Sequence, residues 1–279
     1  MDVRSLEKKA VQIRKDVIQM IYDAKTGHTG GALSATDIMT TLFYGIMNIT
    51  PENSKHPDRD RFILSKGHSV EPYWTILAER GFIKKEELKT FSQFNSRLIG
   101  HPNNKVDGVE MNTGSLGHGL SVASGMALAA KMDKKDYRVF TLMGDGEQAE
   151  GSVWEGAMFA AHYKLDNLVA IIDRNRLQIS GCTEDVMGLD PLDKKWESFG
   201  WNVMEVDGNN IEQLYDALIK EPACIDKPTL ILANTIKGKG VSFIENQAAW
   251  HHKVPTEQEY VQAINELDQM LEALEVSHE

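Results

Sequence analysis

Apolar residues Leu6, Ala10, Ile13, Val17 and Ile21 recur every three or four positions, so residues 3–23 predict an amphipathic helix. Ser34 followed by Asp37 has the spacing of a capping box and predicts a second helix opening there and running to Met47. Phe62-Ile63-Leu64 reads as a short buried strand. Further on, the pattern alternates: helix 119–132, strand 138–143, helix 152–164, strand 168–173, strand 203–206, helix 210–220 and strand 228–234. A charged amphipathic helix over 256–276 ends the series. Several of these strands are apolar at every position, as a strand covered on both faces must be. Interleaved with helices, they predict an α/β fold in which a parallel sheet is flanked by helices on both faces. Repeats, low-complexity tracts and linker-like stretches are missing, so residues 1–279 read as one domain.

Composition narrows the function. The chain is 42% apolar and 25% charged, as in a soluble globular protein. Its net charge of −11 argues against a nucleic-acid partner but leaves room for a small anion held by local cations. Apolar runs such as Leu168–Ile172 are too short to cross a bilayer, and the first residues lack the apolar stretch of a signal peptide. Cys182 and Cys224 make no disulfide framework, so a reducing, cytoplasmic setting is expected.

Candidate chemistry lies at strand ends, where open parallel sheets bind ligands. GDGEQAEG follows Met143 and RNRLQISG follows Asp173; if their strands are neighbours, the two loops meet. Asp145 offers a carboxylate, Asn175 an amide oxygen and the Leu177 region a backbone carbonyl, a set of hard oxygens suited to magnesium. Gly144 and Gly146 let the backbone pass close to a phosphate, with the Gly146 N–H aimed at it and a helix beginning near Ser152 adding positive potential. A lone GDG is more often an ordinary turn. Glu147 reads as a surface acid. Nine histidines are present, several in glycine-rich contexts: Gly27-His28, Gly67-His68, Gly100-His101 and Trp250-His251-His252. Together they suggest a polar pocket suited to proton transfers among hydroxyls. Gly114–Gly119 carries a GxxGxG pattern but no clear strand precedes it, so a dinucleotide site is disfavoured. Lys237-Gly-Lys-Gly240 is another anion-friendly loop.

GDG followed across a helix and a strand by Asn is the thiamine diphosphate fingerprint, here with Arg176 where a second asparagine is common. Together with GHTGGALSATDIMTTLFY, RDRFILSKGHSVEPYW, GVEMNTGSLGHGLSVASGMALAAK and NTIKGKGVSFIENQAAWHH, the chain resembles the N-terminal, thiamine-binding part of transketolase. The form GHTGG with GSLGHG looks most like the smaller subunit of split transketolases. The resemblance implies a diphosphate-binding domain that takes thiamine diphosphate and Mg2+, or Ca2+ or Mn2+ in its place. It implies Asp145, Asn175 and the Leu177 carbonyl as metal ligands. Cofactor contacts would come from His68, His251, Gly114, Ser115, Leu116, Gly146, Asn175 and Lys237, and from Glu150 at a subunit contact that couples paired cofactors. His28, His101 and His251 would line the donor-sugar channel and handle protons. Gln148 and Trp154 are assigned packing only.

The pyrimidine-binding and C-terminal domains of the family have no counterpart in this sequence, nor does the glutamate that activates the cofactor there. They are expected on a C-terminal partner subunit, in an α2β2 assembly that transfers a two-carbon ketol unit between sugar phosphates. The alternatives are a component of another thiamine diphosphate enzyme, such as a 2-oxoacid dehydrogenase alpha chain or a 1-deoxyxylulose-5-phosphate synthase-like protein, and a non-catalytic cofactor-binding subunit.

Overall fold

The computed structural model describes residues 1–219 and 223–276. Strands β1 (Arg61–Leu64), β2 (Val139–Gly144), β3 (Leu168–Arg174), β4 (Asn202–Asp207) and β5 (Thr229–Asn234) form one parallel sheet in the order β1-β2-β3-β5-β4. The helices are α1 (Val3–Ala24), α2 (Thr29–Thr41), α3 (Glu71–Glu79), α4 (Gly119–Met132), α5 (Gly151–His162), α6 (Thr183–Val186), α7 (Leu192–Ser198), α8 (Ile211–Leu218) and α9 (Glu257–Val276).

Alternate side chains of each strand enter two separate cores. Phe62, Leu64, Phe140, Leu142, Ile171 and Ile231 pack beneath α1, α2, α3, α8 and α9. Ile63, Val139, Met143, Ala170, Ile172 and Leu230 pack beneath α4, α5 and α7. Burial on both faces is why the inner strands read as unbroken apolar runs, and the expected α/β architecture is the one observed. β4, at the edge, is the exception: its residues are at most partly buried.

Several elements differ from the sequence reading, which predicts neither α3, α6 nor α7 and runs the second helix to Met47, whereas α2 ends at Thr41 and passes into a π-helical turn over Leu42–Ile46. The second helix starts at Thr29, not Ser34, so Ser34 and Asp37 lie one turn apart inside it rather than forming a cap. Their side chains are used tertiarily. Ser34 Oγ donates to Asp173 Oδ2 at 2.6 Å, while Asp37 takes two bonds from the Arg14 guanidinium, at 2.8 and 2.6 Å. Arg14 is 3% exposed and also donates to the Lys239 carbonyl, binding α1 and α2 to the loop after β5. Helix α3 has no amphipathic stripe to reveal it, because Glu71 through Ala78 are all buried. The last position of the expected helix 210–220 lies outside the described residues; α8 is observed over Ile211–Leu218, with Asn210 accepting from the Gln213 N–H.

All five strands point the same way, so the loops after β1, β2, β3 and β5 emerge on one edge. In the register, Gly144 pairs with Asp173 and Arg174 with Asn234. The loops bearing Asp145, Asn175 and Lys237 are therefore neighbours.

Candidate active site

These loops, with the start of α2 and the segment before α9, enclose a cleft of about 730 Å3, within the usual range of ligand pockets. Its walls divide into an end rich in oxygens and lysines and an end rich in histidines.

At the first end Asp145 is 3% exposed. Its Oδ1 accepts the Gly146 N–H at 2.7 Å, and its Oδ2 accepts the Arg176 N–H at 2.6 Å. The sequence pattern aims the Gly146 amide at a phosphate; here it is turned onto Asp145, which caps the short 3-10 turn Gly146–Ala149. Arg176 enters the network through its backbone, with φ of 63°, a region that asparagine adopts more readily than arginine. Because the bond to Asp145 comes from the backbone N–H, it does not depend on which side chain stands here. Asn175 Oδ1 accepts the Leu177 N–H at 3.2 Å, and the Leu177 carbonyl accepts from Lys237 Nζ at 3.1 Å. Burial, with Asp173 nearby, pushes the Asp145 carboxyl up. Lys237 is pushed down to about 8 by burial and then by the Lys66 charge.

The sequence reading missed much of what braces this end. Lys66 and Asp173 form a buried ion pair on the cleft floor, and Asp173 also accepts from Thr235 and Ser34. Glu147, expected at the surface, is 2% exposed. It accepts from Gly117 N–H at 2.8 Å, Gly144 N–H at 3.0 Å and the Ser65 hydroxyl, thereby joining three loops. Its local sequence carries no sign of this, since its partners lie up to 82 residues away.

At the other end, the His28 ring stands 5.1 Å from His68, 5.7 Å from His251 and 4.5 Å from His252, and His68 stands 4.5 Å from His101. Burial, followed by the neighbouring imidazoles, pulls His28 down to about 3. Burial and the Lys237 charge pull His251 down to about 4. His68 and His101 are lowered too, both mainly by burial. Lys237 Nζ lies 3.0 Å from His251 Nδ1 and so touches both ends of the cleft. His252, left without a role by the sequence reading, lines the cleft beside His28.

The Gly114–Leu116 loop contributes unequally. Leu116 reaches the cleft wall, Ser115 is exposed, and Gly114, with φ of 133°, lies so close to His101 that an added Cβ would meet the ring at 2.6 Å. Glu150 is exposed at the start of α5, outside the cleft lining. Trp154 packs against Trp196 and Phe199, and Gln148 donates to the Gly144 carbonyl, so both have the packing role expected.

The residues present fit a divalent cation with a diphosphate. Carboxylate, amide and main-chain carbonyl oxygens are the donors Mg2+ prefers, and the Leu177 carbonyl already faces a positive charge in the Lys237 ammonium. Among the described residues no group of three or more His, Cys, Asp or Glu is placed to hold a metal, so a cation here would rest on one carboxylate together with amide and main-chain oxygens.

The transketolase thiamine diphosphate-binding domain model matches residues 6–271. The chain belongs to the transketolase family. It corresponds to the N-terminal, thiamine diphosphate-binding part of that ketol-transferring enzyme. It is 50% identical over 275 residues to an apulose-4-phosphate transketolase subunit of Phocaeicola vulgatus, covering 99% of this chain and 98% of that one. A 6-deoxy-6-sulfo-D-fructose transketolase subunit of a Clostridium species is 41% identical over 264 residues, 94% of this chain and 96% of its own. Among solved structures, the transketolase of Campylobacter jejuni superposes with a TM-score of 0.84 at 27% identity, over 99% of this chain and 48% of that one. The chain thus spans about half of a transketolase written as one polypeptide, and nearly all of the relatives named as subunits. Among the described residues no helix is long and apolar enough to cross a membrane.

Proposed function

We propose that this transketolase chain works with a C-terminal partner subunit to transfer a two-carbon ketol unit from a ketose phosphate to an aldose phosphate. The observation that carries the reading is one cleft in which hard-oxygen donors and lysines adjoin a cluster of histidines. The naming of relatives of matching length as subunits supports a partner of complementary content. Residues 1–279 then form a single diphosphate-binding domain, the partner brings the pyrimidine-binding domain, and the cofactor sits between them in an α2β2 complex in the cytoplasm.

Asp145, Asn175 and the Leu177 carbonyl would hold Mg2+, with Lys237, Gly146 and Leu116 toward the diphosphate. Bound thiamine diphosphate supplies the carbon nucleophile that accepts the two-carbon unit. His28 and His251, uncharged near neutral pH, each present one ring nitrogen as donor and one as acceptor. They pass protons among sugar hydroxyls without placing charge in the channel. His101 supports His68, which faces His28. Glu150 would lie at a contact between subunits, a reading that its exposure at the head of α5 allows.

The test is co-purification with the partner and an assay of ketose phosphate donors, sulfonated and deoxy ketoses among them, with thiamine diphosphate and Mg2+. Transfer by the complex and none by either chain alone is expected. Turnover by this chain alone overturns the split arrangement, and activity on pyruvate but on no ketose overturns the ketol-transfer reading.

A further inference from the structure

Glu71 is the first residue of α3, three positions after His68, and it is fully buried. Its Oε1 accepts the His28 backbone N–H at 2.7 Å. Its Oε2 has no hydrogen-bond partner among the described residues. Gly27 is moulded around it: with φ of 152°, an added Cβ would lie 2.8 Å from Glu71 Oε1 and 2.6 Å from Ile21 of α1. One carboxyl therefore fastens the loop carrying His28 to the helix that follows His68. We propose that Glu71 is a positioning residue that sets the His28 imidazole against His68 in the donor channel and makes that placement responsive to its own proton. This rests on the reading of the cleft as a ketol-transfer site.

The chemistry favours such a role over simple packing. A carboxyl held away from water with half its acceptor capacity unused is costly for a structural clamp, for which an amide or hydroxyl would suffice. Burial pushes Glu71 up to about 7, opposed by the His28 N–H and, more weakly, by the Lys66 charge; α1 presents it the apolar Ile21. Ionised, it accepts a charge-assisted bond and draws the His28 backbone in; protonated, it holds that backbone more loosely. His28 stands at the N-cap of α2 and makes no side-chain cap bond of its own; Thr29 and Gly30 are tied to Lys253 and Gly238, while the His28 N–H itself is held by the Glu71 carboxyl.

The experiment uses the full chain with its partner subunit and the variants Glu71→Ala and Glu71→Gln. Glu71→Ala should lower kcat for the ketose donor about tenfold while the Kd for thiamine diphosphate stays within about twofold. Glu71→Gln, which keeps an acceptor oxygen, should restore kcat to within about threefold of wild type yet lose an inflection near pH 7 in kcat. Should Glu71→Ala not fold, the Glu71→Gln profile decides alone, and an unchanged inflection overturns the proposal. Cofactor affinity and kcat falling in parallel in both variants would also overturn it, since that marks general destabilisation. The His28 ring resonances, followed by NMR, provide a readout independent of turnover. They should shift with a midpoint near pH 7 in wild type and not in Glu71→Gln. If that holds but no ketose reacts, the ketol-transfer reading fails and the coupling of Glu71 to His28 stands.

Discussion

The two ends of the cleft are built on opposite principles. At the oxygen-and-lysine end, charges are buried and paired at and just beyond the strand ends: Lys66 with Asp173, Lys237 on the Leu177 carbonyl, Asp145 on two backbone amides. At the histidine end the groups are imidazoles, contributed by five separate positions on loops and helix starts, and burial disfavours the charged form of His28, His68, His101 and His251. The first end is suited to fixing a highly charged group in place, because strand ends are the most rigid anchors and paired charges need little rearrangement. The second is suited to moving protons, because neutral imidazoles offer both donor and acceptor. Binding and chemistry are thereby separated along one pocket.

Single substitutions can break this division. His28→Ala should cut ketol transfer by the complex about a thousandfold and change thiamine diphosphate affinity by no more than about threefold. Steady-state kinetics beside calorimetry checks this; equal losses in both would mean the ends are not separate. Asp145→Ala should weaken cofactor binding about a hundredfold or more in the presence of Mg2+, with the fold intact by circular dichroism. Lys237→Met removes a side chain that touches both ends, and should cost about tenfold in cofactor affinity together with a raised His251 pKa, since the neighbouring positive charge is gone.

The smallest effect concerns stability against pH. His28 and His251 have folded-state values of about 3 and about 4, below the ordinary 6.5. The unfolded chain therefore binds more protons between those values, and stability falls as pH drops from about 6.5 toward 3. Glu71 acts in the opposite sense: raised from 4.5 to about 7, it contributes stability that is lost as pH rises through that window. Urea denaturation across about pH 4.5–7.5 should show His28→Asn losing less stability on acidification than wild type, and Glu71→Gln losing less on the way from about pH 5 to 7.

The two ends also differ in how readable they are. Asp145, Asn175 and Lys237 each follow an apolar strand, and those strands are neighbours in the sheet, so both site and fold follow from local pattern. Histidines announce themselves by residue type, although which rings touch is set by tertiary structure, and His252 gains its place only from that. Carboxylates are the hard cases. Glu147 and Glu71 look like solvent-facing acids because everything that satisfies them lies in other parts of the chain or in backbone amides. Ser34 and Asp37 mislead for a different reason. Their spacing is right for a cap, yet it is equally the spacing of two residues on one helix face, and the helix begins a turn earlier at Thr29.

Arg14 ties the finished cleft to the order in which the chain folds. Its guanidinium links α1 to the Lys239 carbonyl, 225 residues further along the chain and just past Lys237. The contacts that hold the loop presenting Lys237 thus include one that spans most of the chain. Contacts of high sequence separation tend to form late, so the lysine that bridges the cleft is expected to settle late in folding. Cofactor affinity in a refolding experiment should lag behind the recovery of helical signal, and Arg14→Ala should lengthen that lag.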